Sequence, residues 1–135
     1  MIEEFIKKWG ENKEDLRENF FLSHPESYKD ILERLISEVI NPNQENGLPS
    51  NSEIEVKTFG DWEGIEVFII PEIMNYPSTF WVTKVYYGSC SLCDTLQGIF
   101  DDSYDEEGNT LPPNKEQVDG YMTLALHMLQ RMKEV

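Results

Sequence analysis

At 135 residues the chain has the length of one domain, residues 1–135, and its apolar side chains (39%, with aromatics at 12%) suffice for an ordinary core without disulfide staples. Eleven Lys and Arg stand against 26 Asp and Glu, a formal net charge of −15. A surface of that sign repels nucleic acid and anionic lipid, which need basic side chains to neutralise their phosphates, so direct DNA or RNA binding and membrane attachment are not expected.

The acidic start Met1-Ile2-Glu3-Glu4 differs from the basic start of a secretory leader, and no long apolar run follows. Cys90 and Cys93 are too close to staple distant elements. Together these features read as a reduced, soluble, cytoplasmic protein. The acidity itself has two readings. It keeps a protein soluble and monomeric, or it faces a partner with a basic surface, in the extreme by imitating a nucleic-acid backbone.

Residues 2–20 carry Ile2, Phe5, Ile6, Trp9, Leu16 and Phe20 at helical spacing, with Gly10 as a place where the helix kinks or splits. Ser23-His24-Pro25-Glu26 has the form of a capping box. It opens a helix whose face holds Tyr28, Ile31, Leu32, Leu35, Ile36, Val39 and Ile40, and Asn41-Pro42 ends it. Residues 43–52 hold turn formers without periodicity and read as a loop.

From Ser52 the period falls to two. Ile54, Val56 and Thr58 alternate with polar residues, a Gly60–Gly64 hairpin leads to a strand over 65–70, and a third strand covers 80–87. The connections are too short for helical crossovers, so an antiparallel meander is expected. A short helix follows over 93–100, then an acidic loop over 101–113. Asn114 and Gln117 then cap a last helix with Val118, Tyr121, Met122, Ala125, Met128, Leu129 and Met132 on its apolar face. The expected fold class is α+β, a three-stranded antiparallel meander with N-terminal and C-terminal helices packed on it, in the order ααβββαα.

The chemistry concentrates where the third strand meets the short helix. Tyr87, Gly88, Ser89, Cys90, Ser91, Cys93 and Asp94 are the candidate ligand-binding residues, because small hydroxyl-bearing residues beside unpaired helix-start amides make a seat for an anion. A simpler reading has Ser89 or Ser91 capping the helix while Gly88 makes the turn. C-x-x-C also permits a dithiol or a lone Cys90 nucleophile, yet strands that a thioredoxin-like fold needs after the motif are not signalled. Zinc requires four ligands, and only His24, in a helix cap, and His127, turned to solvent, are left to add, so no metal or cofactor is implied. The Met stripe of the last helix reads as core. The acidic loop fails the calcium-loop pattern at both ends, since Ser103 and Asn114 fall where acidic ligands belong.

The stretch Tyr87-Gly88-Ser89-Cys90-Ser91-Leu92-Cys93-Asp94-Thr95-Leu96-Gln97 resembles one in small acidic proteins encoded by bacteriophages of Gram-positive bacteria. Trp9-Gly10-Glu11-Asn12-Lys13, Phe68-Ile69-Ile70-Pro71 and Tyr121-Met122-Thr123-Leu124-Ala125-Leu126-His127 extend the resemblance along most of the chain. It implies a viral protein made in bacterial cytoplasm and transfers no catalytic residues. The expected function is therefore a non-enzymatic accessory protein that binds a host factor or a small anionic ligand, in defence suppression or host takeover. The alternatives are a thiol-dependent enzyme using Cys90 and Cys93, and a structural or assembly protein.

Overall fold

Apolar residues three and four apart shape the first element. In the computed structural model, which describes residues 2–90, 92–101 and 103–135, helix α1 runs Ile2–Leu22 and buries Phe5, Leu16 and Phe20. The expected break at Gly10 is absent. A Cβ at Gly10 would touch nothing within 4 Å, so the glycine lies on a solvent side where the helix has no packing reason to bend. Ile6, counted with the stripe, is exposed because it lies at the edge of the face that Phe5, Leu16 and Phe20 bury.

Helix α2, Tyr28–Leu35, starts later than its sequence signal suggests. Ser27, not Ser23, is the cap, accepting from the Asp30 amide at 3.1 Å, and Asp30 in turn accepts from the Glu26 amide at 2.9 Å. Ser23 is used differently. Arg34 reaches back from α2 to donate to the carbonyls of Ser23 (2.8 Å) and His24 (3.2 Å), pinning residues 23–27 as a bent connection. After Leu35 the helix widens into a π turn, Ile36–Ile40. The whole apolar face expected from Tyr28 to Ile40 is buried. Asn41 closes the segment by donating to the carbonyls of Glu45 and Pro49 and accepting from the Glu45 amide.

The meander follows as expected: β1 Glu55–Gly60, β2 Gly64–Pro71 and β3 Phe80–Tyr87, each antiparallel to the last. Gly60 takes φ of 116° at the hairpin, a region that L side chains rarely adopt. The sheet has four strands, however. β4, Lys133–Glu134, returns antiparallel on β3 beside Trp81 and Val82. A two-residue strand has no period to read, and it forms only because the last helix delivers the chain to that edge. Thr58, expected inside, is exposed because β1 is the outer strand and the helices do not reach it.

Helix α3, Thr95–Phe100, and helix α4, Lys115–Arg131, complete the order. Asn114 and Gln117 form the expected capping box, with bonds of 2.8 and 3.0 Å. α4 buries its expected face, methionines included. Helices α1 and α4 lie on one side of the sheet. Phe5 meets Trp81 with ring centroids 6.0 Å apart, Phe20 meets Tyr121 at 5.6 Å, and the Thr83 hydroxyl donates to the Met128 carbonyl at 2.7 Å. That last bond satisfies one of the carbonyls a helix leaves unpaired in its final turn. Among the described residues no helix is long and apolar enough to cross a membrane.

Candidate functional site

The turn between β3 and α3 is organised by one buried carboxylate. Asp94 Oδ1 accepts from the Gly88 amide at 2.9 Å and the Tyr28 hydroxyl at 3.0 Å, and Oδ2 accepts from the Gln97 amide at 2.9 Å. The Tyr28 hydroxyl accepts in turn from the Leu96 amide at 3.1 Å. Asp94, rather than Ser89, therefore caps α3, and the helix begins two residues later than expected. The amide donors proposed as an anion seat already hold the protein's own carboxylate. An incoming anion would have to displace it from a buried position.

Burial holds the Tyr28 hydroxyl proton far above its ordinary range, reinforced by the nearby Asp94 charge. Glu66 stands in the rung Thr58–Glu66–Val85 on the helix side of the sheet. Partial burial, then the charge of Asp94, raises its carboxyl above the usual carboxylate range.

The remaining candidates divide by depth. Gly88 and Asp94 are buried and shape the turn, Tyr87 is half-buried and donates its hydroxyl to the Gly60 carbonyl at 2.9 Å, and Ser89, Cys90 and Cys93 are exposed. Ser91 lies outside the described residues. Gly88 is required by closeness rather than by φ. A Cβ there would overlap the Cys93 carbonyl group and come within 2.8 Å of its Sγ.

The two thiols are free, and their sulfurs are 3.1 Å apart. Cys93 Sγ also lies 3.6 Å from the Ser89 hydroxyl and 3.2 Å from the Cys90 amide. Hydrogen bonds from the Cys90 thiol, then the Ser89 hydroxyl, then the Cys90 amide lower the Cys93 pKa below the ordinary thiol value. The histidines weighed as zinc ligands are placed otherwise. His24 Nε2 donates to the Leu111 carbonyl at 2.8 Å, which leaves Nδ1 to accept from the Tyr121 hydroxyl at 2.7 Å. His127 is exposed on α4. Among the described residues no three His, Cys, Asp or Glu side chains converge on a common point suited to a metal.

Sequence reasoning passed over a second surface, the sheet face turned away from the helices. Register aligns Phe59, Ile65 and Tyr86 on one rung, Lys57, Val67 and Lys84 on the next, and Glu55, Ile69 and Val82 on the third. Not one of these nine side chains is buried, and Phe59 and Tyr86 are 59% and 58% exposed. Lys133 joins the third rung through its pairing with Val82. The Arg131 guanidinium lies over the Tyr86 ring at 5.6 Å and Lys84 Nζ approaches the same ring at 5.7 Å. In a chain of net charge −15, this face carries three lysines against Glu55 alone. The readable signal was in β2, where Ile65, Val67 and Ile69 put apolar groups on the parity that Phe68 and Ile70 do not use.

No protein-family model matches the chain, and no curated protein or solved structure matches it.

Proposed function

We propose that the chain is a non-enzymatic binding protein whose contact surface is the open face of the sheet, continued at one end by the exposed part of the 88–94 turn. The observation that carries this reading is the rung Phe59–Ile65–Tyr86, three apolar side chains left accessible to solvent side by side. A contiguous accessible apolar patch gains free energy when a partner removes it from water, and aromatic residues supply much of the binding energy in such contacts. The lysines around it favour a partner that surrounds its own apolar anchors with carboxylates. That is opposite to the partner suggested by net charge. Charges farther than about 8 Å are largely screened at physiological salt, so the local lysines decide the docking.

The resemblance of residues 87–97 to small phage proteins supports a bacterial host protein as the partner, bound in host takeover or to disable a defence component. The Asp94 carboxylate on the turn's amides favours a protein partner over a small anion.

Affinity capture from a bacterial lysate tests the reading with three proteins: the natural chain, a Phe59→Ser/Lys57→Glu variant, and a Glu106→Lys/Glu107→Lys variant of the acidic loop. The expected result is one partner held by the first and third and bound about tenfold more weakly by the second. Loss of that partner from the acidic-loop variant alone would transfer recognition to the acidic surface. Capture of nothing specific would leave solubility as the role of the charge and remove support for a binding function.

A further inference from the structure

The binding reading uses the 88–94 turn only as surface and assigns its thiols no chemistry, and their placement suits a specific one. Both sulfurs are exposed and 3.1 Å apart. A disulfide bond is about 2.05 Å long, so closing the pair needs an approach of about 1 Å. The two positions are not equivalent. Cys93 is the one whose sulfur receives the Cys90 amide and the Ser89 hydroxyl, and it borders a shallow groove lined by Glu63, Gly64, Ile65, Tyr86 and Tyr87. Cys90 does not line that groove.

We propose that Cys93 and Cys90 form a thiol–disulfide exchange site, with Cys93 attacking, Cys90 resolving, and the substrate a disulfide seated in the groove between the hairpin end and Tyr86. In the first step the Cys93 thiolate attacks one sulfur of a substrate R–S–S–R. A Cys93–S–S–R bond forms and one RS⁻ leaves. Cys90 then gives its proton to solvent, and its thiolate attacks the Cys93 sulfur. The Cys90–Cys93 bond forms, and the second RS⁻ leaves and is protonated. Two electrons pass from the dithiol to the substrate, which ends as two thiols, and the atoms balance.

The groove also narrows the substrate class. Ile65, Tyr86 and Tyr87 offer apolar and aromatic contact, while Glu63 is the charged residue that lines the groove itself and repels an anion there; Lys84 and Arg131 are held over the Tyr86 ring and do not line it. The favoured substrate is a disulfide with cationic or apolar flanks, not the anionic glutathione disulfide. The groove shares Ile65 and Tyr86 with the proposed partner face, but the test involves no protein partner, so failure of one reading is distinguishable from failure of the other.

The experiment treats the reduced protein at neutral pH with cystamine or with glutathione disulfide, followed by acid quench, alkylation and mass spectrometry. Cystamine should convert the natural chain to a Cys90–Cys93 disulfide with release of two thiols per chain, and faster than glutathione disulfide does. Cys90→Ser should stop at a mixed disulfide on Cys93. Cys93→Ser should form its mixed disulfide on Cys90 about tenfold more slowly, having lost the hydrogen-bonded thiolate. Circular dichroism checks that both variants keep the fold, and the conversion of the natural chain needs no variant at all. Equal rates at the two cysteines, a natural chain that stalls at the mixed disulfide, or a preference for glutathione disulfide would each overturn the assignment.

Discussion

The hydroxyl of Tyr28, at the start of α2, lies 3.0 Å from Oδ1 of Asp94, 66 residues further along the chain. Through this bond the second helix and the β3–α3 turn share one buried acceptor, which also holds the Gly88 and Gln97 amides. Asp94 is thus a cap, a turn former and a tertiary link at once.

Asp94→Ala should therefore cost more than an ordinary cap. Losing the cap costs about 1 kcal/mol, and leaving the buried Tyr28 hydroxyl and Gly88 amide without an acceptor adds about 1–3 kcal/mol. Urea denaturation should show a total loss of roughly 2–4 kcal/mol. A loss under about 0.5 kcal/mol, the range of an ordinary surface change, would mean that the network is not what holds the turn.

Glu66 gives a pH signature. Its carboxyl is raised in the folded protein, so the folded state holds that proton more tightly than the unfolded chain. Glu66 therefore lowers stability as pH rises from the ordinary carboxylate region through its folded value, and it costs nothing once both states are protonated. Glu66→Gln should raise the melting temperature at pH 7 and lose that advantage below about pH 4. An advantage that is the same at both pH values would assign the effect to packing instead.

Gly88→Ala tests closeness at the turn. The new methyl meets the Cys93 carbonyl and sulfur, so the turn must open. We expect a destabilisation of about 1–3 kcal/mol, typical of overpacking, together with slower alkylation of Cys93 as its hydrogen bonds are pulled apart. Unchanged stability and unchanged alkylation would show that the backbone yields freely there.

Replacing Cys90 and Cys93 together with Ser should leave stability within about 0.5 kcal/mol of the natural chain, since both thiols are exposed and fill no core volume. Thermal unfolding of the double variant measures this directly. A loss of several kcal/mol would show a structural role that their exposure does not suggest.

Elements with a long apolar period were legible in the sequence. The face from Tyr28 to Ile40, the Asn114–Gln117 box and the face of α4 all lie where spacing puts them, because burying a helical stripe is the dominant local requirement. The features that escaped had no period or had two competing local solutions. Ser23 and Ser27 both precede suitable partners, and only the long-range reach of Arg34 to the Ser23 carbonyl favours the second. β4 is set entirely by the edge of β3. At the turn, the depth of each residue was not readable. Asp94 reads like an ordinary polar neighbour of two cysteines until Tyr28 is brought to it from another helix. The open sheet face was hidden by its own composition, since apolar residues on both parities of β2 look like a strand covered on both sides.

The π turn at Ile36–Ile40 bears on how this chain tolerates changes in length. α1 is fitted to it directly: Lys8 Nζ donates to the Ile40 carbonyl at 2.9 Å and Asn12 Nδ2 to the Val39 carbonyl at 3.1 Å. A wider turn of this kind takes up one residue more than regular α-helix would between two fixed ends, here the Ser27 cap and the Asn41 loop. Deleting Ser37 would remove that extra residue and let the segment close as ordinary α-helix, with Asn41 kept at its loop and the residues beyond the turn unrotated. Val39 and Ile40 would keep the core side and the carbonyls that Lys8 and Asn12 reach, so this segment tolerates a chain shorter by one residue without compensating changes in α1.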